Sequence, residues 1–367
     1  MSPPALETRL LGPLAPALLT WLREGVAYPG PGRARLWQYR WASLTFRFNL
    51  SMQRRLQPAS PPGPDPLLVL GAWRSGTTFL HELLASQPGF VTPRTWQCMA
   101  PSTFGLTGAP SRGVVQARPM DDFTIAADSP QEDEFALLAL GGPSLYRAFL
   151  DPRRLESLAP LLDGDAWTSP WPAETDWLEF LGRVGGQAGD HASRLLLKSP
   201  NHSYRLPALQ RQFPRMQGIW ITRDPRAIWQ SNRRLWPTMA KLYGLAPMDE
   251  AALDRFLVRM IACTAKALNR WCDALPPERL VVLSLEQLKV APESLTTQAL
   301  ARLSSAPPDA DGLARLHAAA AARAHVRTAA ERGELSVNNE RQGELAQALE
   351  ALAEAQRRAL ASHGLGA

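Results

Sequence analysis

The chain is predicted to fold as an α/β layered protein around a mostly parallel sheet, and three observations carry that expectation. A short apolar run, Leu67 to Leu70, enters a turn containing Gly71 and Gly76 and then a stretch with helical spacing, Phe79, Leu80, Leu83 and Leu84. Further short apolar runs follow at Arg194 to Lys198, Gly218 to Thr222 and Leu280 to Ser284, and they read as strands buried on both faces. Helical patterns separate these runs. Strands that alternate with helices form parallel sheets covered by helices.

Taken in order, residues 1–56 read as helical and rich in aromatic and basic side chains, among them Trp21, Trp37, Trp41, Phe46 and Phe48 with Arg33, Arg35, Arg40, Arg47, Arg54 and Arg55. Such a segment suits an interfacial helix on anionic lipid, or a docking helix whose arginines face water. Leu10 to Leu22 is apolar but too short to span a bilayer, and Pro13 and Pro16 interrupt it. A proline-rich linker, Gln57 to Pro66, leads into the first strand. The stretch from about 90 to 190 is rich in proline, glycine and tryptophan. It is expected to supply loops and short helices over the C-terminal edge of the sheet, where ligands bind in such folds. The tail beyond Ser305 is alanine-rich and helical, with a break near Arg332 to Gln342. The expected organisation is one domain, with a helical extension over 1–60, an α/β core over 61–305 and a C-terminal helical segment over 306–367 packed on that core.

Composition narrows the function classes. The net charge of the 367-residue chain is +6, and its only lysines are Lys198, Lys241, Lys266 and Lys289. A basic balance suits a polyanionic ligand, but no long basic run or aromatic-basic RNA motif argues for nucleic acid. Cys98, Cys263 and Cys272 have neither disulfide nor metal spacing. With no signal peptide in view, the expected location is cytoplasmic, with peripheral membrane contact through residues 1–56 as an open alternative.

The turn after the first strand is where chemistry is expected. Strand, glycine turn and helix start together aim backbone N–H groups at an anion, and the helix dipole adds roughly half a positive charge. Gly71 and Gly76 have the G-x-x-x-x-G spacing of a Walker A loop, yet Thr77 stands where that motif requires lysine. The cation of the turn is Arg74, placed earlier. A second segment, Gly218 to Ser231, ends its strand in Arg223. Asp224 suits a helix N-cap and Pro225 the first helical position. A helix from Pro225 carries Ser231 less than two turns in, where it could share a dianion with Arg223.

Gly71 to Leu84, GAWRSGTTFLHELL, resembles the 5′-phosphosulfate loop of the sulfotransferases that use 3′-phosphoadenosine 5′-phosphosulfate (PAPS). That loop is usually written with Arg or Lys before Ser-Gly-Thr-Thr. Arg223 and Ser231 fall on the two binding positions of the family's 3′-phosphate motif. VVLSLEQL, Val281 to Leu288, is a weaker echo of a third motif, with Leu285 where the family has Tyr. The resemblance covers Leu67 to Leu288 in scattered blocks, and is nearest to the bacterial branch that also resembles tyrosylprotein sulfotransferases. The glycine-rich C-terminal signature of the cytosolic enzymes is reduced to Arg332-Gly333.

The resemblance implies a P-loop kinase-like three-layer fold and transfer of a sulfuryl group from PAPS to a hydroxyl or phenol, releasing the bisphosphate PAP. It implies cofactor contacts from Arg74, Ser75, Gly76, Thr77, Thr78, Arg223 and Ser231. No metal is required in principle, since cations and a helix N-terminus can neutralise the departing phosphate. Lys198, at a strand end, resembles the lysine that contacts the bridging region in related enzymes and is expected to stabilise the transition state. For the general base, His202 has a suitable ordinary pKa. The carboxylate cluster Glu132, Asp133 and Glu134 offers Glu132 and Glu134 as alternatives, and His81 is a lesser one. The acceptor is a small-molecule, lipid or peptide hydroxyl, and the oligomeric state is not readable from the sequence. The rival readings are a P-loop kinase-like phosphotransferase and a non-catalytic nucleotide- or membrane-binding protein.

Overall fold

The computed structural model describes residues 11–24, 27–61, 63, 65–109, 116–117, 124–164, 167, 170–187, 194–303, 308–322 and 341–365. Its strands are β1 (Leu67–Leu70), β2 (Phe90–Val91), β3 (Gln116–Ala117), β4 (Thr124–Ile125), β5 (Arg194–Lys198), β6 (Gln217–Thr222) and β7 (Leu280–Ser284). Five of them form one sheet in the order β2-β5-β1-β6-β7, and every neighbouring pair is parallel. β3 and β4 pair separately as a short antiparallel ladder.

The sheet is the middle of three layers, as its own sequence dictates. Successive side chains of a strand point to opposite faces. Leu68, Leu70, Leu195, Leu197, Trp220, Leu280 and Val282 join one buried cluster, while Leu67, Val69, Leu196, Ile219, Ile221, Val281 and Leu283 join the other. Helices Pro225–Tyr243, Glu250–Ala274 and Gln342–His363 contribute to the first cluster. Helices Thr77–Ala85, Leu285–Val290, Pro292–Arg302 and Ala310–Ala321 contribute to the second. Apolar demand on both faces is why these strands read as continuous runs and not as alternations.

The four strands expected from the sequence are present, β6 beginning one residue earlier than its apolar run. β2 was not foreseen: it is two residues long and only half-buried, so it carries no apolar run to detect. The stretch from 90 to 190 contains short helices, as expected, and also a longer one, Glu174–Gln187. Helices Pro16–Arg23, Gly30–Ala42 and Phe46–Leu56 precede the sheet, and their Leu18, Leu22, Tyr39, Phe46 and Leu50 lie in the same core as the sheet's first face. The expected break near Arg332 to Gln342 falls largely outside the described residues, as does the Arg332-Gly333 remnant.

Candidate functional site

The order of the central strands decides what meets at their C-terminal ends. β1 lies between β5 and β6, with Val69 in register with Lys198 and Leu70 with Trp220. The turn leaving β1 therefore stands between Lys198, the last residue of β5, and Arg223, the first residue after β6. Ends of adjacent parallel strands are about 5 Å apart, so the turn meets residues 120 or more positions further along the chain, with Lys198 120 residues from Thr78 and Arg223 149 from Arg74.

The turn itself demands two glycines. Gly71 has φ of +139° and Gly76 has φ of +105°. A Cβ on Gly71 would come within 2.6 Å of the Ile221 carbonyl oxygen, and one on Gly76 within 2.6 Å of Leu285 Cδ1. The loop is thus pressed against β6 and the helix that follows β7. Its underside is held by Ser203, whose hydroxyl accepts from the Gly71 N–H at 2.9 Å and donates to the Gly71 carbonyl at 3.1 Å. Ser75 turns its hydroxyl inward to the Ala72 carbonyl at 2.8 Å. Helix Thr77–Ala85 starts at Gly76 without a side-chain cap. The first N–H groups of a helix have no partner within it, so those of this helix can be directed at an anion.

Three of the basic residues singled out by the sequence converge on this turn. Arg74 donates through Nε to Ser231 Oγ at 2.9 Å, and Arg223 donates to the Arg74 carbonyl at 2.9 Å. The helix carrying Ser231 runs over Pro225–Tyr243, and its Asp224 cap accepts from the Ala227 N–H at 2.7 Å. Burial first, and then the adjacent Arg74 charge, push the Arg223 guanidinium pKa below its ordinary value. Two cations held this close favour an anion between them. On the other side of the loop, Lys198 Nζ lies 3.3 Å from Thr78 Oγ1 and 2.6 Å from Glu132 Oε1. The C-terminal helix reaches the same region, where Gln356 donates to the Arg223 carbonyl at 3.1 Å.

The three consecutive acids have separate environments. Glu132 keeps some exposure, with 12 % of its side chain accessible, and receives Lys198 on one oxygen and the Tyr146 hydroxyl on the other. Asp133 is fully buried and accepts from Trp177 Nε1 and His202 Nε2, each at 3.0 Å. Glu134 is also fully buried and receives a bidentate pair from Arg205, both bonds at 2.6 Å. Arg205 further lies over the Trp167 ring at 4.3 Å.

His202 is held between these groups. Arg205 stands 3.4 Å from its Nδ1, and arginine can only donate, so Nδ1 accepts. Nε2 then bears the N–H and donates it in a hydrogen bond to Asp133. Both ring nitrogens are committed within the protein, and the side chain has 0 % exposure. His202 and Glu134 thus lie in a buried hydrogen-bonded lattice behind the loop, and Glu132 is the carboxylate of the cluster that meets Lys198. His81 is buried too, with Nε2 2.7 Å from Thr92 Oγ1.

Arg205, Tyr146, Trp73 and Ser203 hold the site and were not singled out from the sequence. Trp73 donates to the Tyr146 hydroxyl at 3.1 Å and stacks on Tyr204, with ring centroids 5.7 Å apart. Arg205 follows His202 by three residues, which was the one available hint. Tyr146 had none, because its role depends on packing across the chain.

The model of the sulfotransferase family matches residues 66–308. Omega-hydroxy-beta-dihydromenaquinone-9 sulfotransferase Stf3 of Mycobacterium bovis is 32% identical over 233 residues, covering 62% of this chain and 60% of that protein. The protein of the same name in Mycobacterium tuberculosis matches over the same share. The matched stretch therefore spans about three fifths of the length of these relatives. The crystal structure of sulfotransferase STF1 from Mycobacterium tuberculosis superposes with a TM-score of 0.63 at 17% identity, covering 92% of this chain and 90% of that one. Sulfotransferase STF9 from Mycobacterium avium does so with a TM-score of 0.62 at 20% identity, covering 93% and 88%. At such identities these two structures speak for the fold, the P-loop kinase-like three-layer arrangement.

One consequence of the site's burial is measurable as pH dependence. Burial first, then the charges of Lys198 and Arg94, hold the His81 pKa well below its ordinary 6.5, so the folded protein keeps this ring neutral. In the unfolded chain it takes up a proton below about pH 6.5. Its stability contribution is therefore complete above that pH and is lost as pH falls toward the lowered folded value, at up to about 1.4 kcal/mol per pH unit. Urea denaturation at a series of pH values should show a shallower acid decline for His81→Gln than for the wild type below pH 6.5. Parallel declines would show that His81 does not couple to folding in this way.

Proposed function

The chain belongs to the sulfotransferase family, and on that premise we propose that it transfers a sulfuryl group from PAPS to a hydroxyl on an apolar acceptor, releasing PAP. The observation that carries the reading is the convergence of Lys198, Arg74, Arg223 and Ser231 on the two sides of one glycine turn. The turn and the Thr77–Ala85 helix start would receive the 5′-phosphosulfate, with Arg74, Thr77 and Thr78 beside it. Arg223 and Ser231 would receive the 3′-phosphate. PAPS supplies the activated sulfuryl group, and the rest of the chemistry falls to this chain.

The acceptor oxygen forms a bond to sulfur while the bond from sulfur to the phosphate oxygen breaks. The electron pair leaves with PAP, and the acceptor's proton must go to a base. Lys198 would neutralise the charge that grows on the departing oxygen. Glu132 is the base this geometry supports over His202 and Glu134, because a base must reach the proton it removes and the other two are enclosed. Tyr146 and Lys198 both donate to Glu132 and would hold its carboxylate in one orientation. A lipid acceptor is proposed on the name of the Stf3 relatives, which is that of a hydroxylated menaquinone derivative. Peripheral membrane contact through residues 1–56 fits the same reading.

The test of the activity is incubation with ³⁵S-labelled PAPS and, separately, γ-labelled ATP, each with a pool of lipid alcohols and phenols. Label should move from PAPS alone. Transfer from ATP alone would overturn the reading in favour of a kinase.

Two sets of variants separate binding from chemistry. Arg223→Ala and Ser231→Ala should each weaken PAP binding in calorimetry. A lost hydrogen bond to a charged group is worth roughly 1.5–3 kcal/mol, or about ten-fold to a hundred-fold in Kd. Unchanged affinity would remove the assigned 3′-phosphate site. Lys198→Ala and Glu132→Gln should instead lower kcat, the latter by roughly 10²–10⁴-fold as expected for a general base, with smaller changes in PAP affinity. Equal losses in both quantities would reduce these residues to ground-state binding.

A further inference from the structure

The helices Gly30–Ala42 and Phe46–Leu56 have two opposed faces, and the core uses one of them. Inward lie Tyr39, Ser43, Phe46, Leu50 and Gln53, all buried. Tyr39 donates to the Tyr243 carbonyl at 3.3 Å, Ser43 Oγ accepts from the Leu14 N–H at 2.8 Å, and Gln53 bonds Pro101 and Gly105. This face anchors the pair to the body of the protein. Outward lie Trp37 and Trp41 on the first helix, Leu44 in the turn between the two and Phe48 on the second, with exposures of 55%, 69%, 69% and 67%. Large apolar side chains left together in water mark a contact surface.

The charge that this segment itself carries is of one sign. From Ala27 to Pro64 the chain has six arginines and no aspartate, glutamate or lysine. Two of the six serve the fold: Arg35 donates to the Gly244 carbonyl at 2.6 Å, and Arg54 pairs with Asp176 and Glu179. Arg33, Arg47 and Arg55 are exposed, and the Arg40 guanidinium lies 4.5 Å over the Trp37 ring.

We propose that Trp37, Trp41, Leu44 and Phe48, rimmed by Arg33, Arg40, Arg47 and Arg55, dock the protein on an anionic lipid surface. Indole rings prefer the boundary between hydrocarbon and headgroups, and arginines beside them meet lipid phosphates and acidic headgroups. A second copy of the chain is a poorer occupant. A two-fold contact brings the same patch against itself, and this segment has no acid to pair with the arginines it would bring together. The inference deepens the lipid-acceptor reading by naming how such an acceptor is met. Its test needs no turnover.

The full chain is floated with vesicles of phosphatidylcholine alone and of phosphatidylcholine mixed with phosphatidylglycerol. It should float with the mixed vesicles and not with the neutral ones. Binding should fall when salt is raised from about 0.1 M to about 1 M, which shortens the screening length from roughly 10 to 3 Å. Arg33→Gln with Arg47→Gln should weaken binding about twenty-five-fold, at roughly five-fold per arginine near an anionic surface. Trp41→Ser with Phe48→Ser should weaken it about ten-fold or more through lost apolar burial. PAP binding by calorimetry on the same samples reports folding and tests the donor reading separately. Flotation without PAP binding leaves the surface standing and the donor reading fallen. Equal flotation on neutral and anionic vesicles, none at all, or variants that float like the wild type would overturn the surface. A wild-type dimer that Trp41→Ser dissociates would assign the face to a second copy instead.

Discussion

The position of β1 between β5 and β6 is the constraint on which the site depends. Parallel pairing sets Lys198 and Arg223 on the two flanks of one turn, and no local preference of either residue could do so. The turn can occupy that space only because Gly71 and Gly76 lack a Cβ where backbone and side-chain atoms of neighbouring elements approach within 2.6 Å. Close approach and positive φ together exclude other residues at no gain in local stability. The result is a glycine turn and an uncapped helix start with a cation on each side.

Behind that turn the protein buries polar and charged side chains. Asp133 with His202, and Glu134 with Arg205, are pairs withdrawn from water, each with several hydrogen bonds. A buried ion pair such as Glu134 with Arg205 rarely adds net stability, because desolvation offsets the attraction. The effect of the two pairs is to define geometry: residues 133 and 134 are tied to the turn after β5, so the preceding Glu132 stands beside Lys198. The cluster thus divides its labour by burial, two acids inside the lattice and one at the edge that meets the loop.

The N-terminal helices show the same economy with apolar groups. One face completes the core and the other leaves aromatic rings in water among arginines. Both faces draw on aromatic and apolar residues, so composition alone reads as ambiguous between docking and interfacial helices. Burial separates the two sets, residue by residue.

Much of the fold was legible because it is local. Buried strands announce themselves as short apolar runs, the Asp224-Pro225 start has local capping chemistry, and the glycine spacing marks the turn after β1. The two-residue β2 and the long helix Glu174–Gln187 were not legible, since one is too short for a pattern and the other sits in a stretch dense with proline, glycine and tryptophan. For the site, the sequence by itself determined which residue types were on hand: a glycine turn, Arg74, Arg223, Ser231, Lys198 and four titratable candidates for a base. Tertiary structure decided which of those groups still face the loop. It enclosed His202 and Glu134 with Asp133 and Arg205, buried His81 against Thr92, and brought Glu132 to Lys198 with Tyr146 behind it. Those partners lie between 3 and 71 residues apart along the chain, and burial is a property of the packed whole that no single stretch encodes.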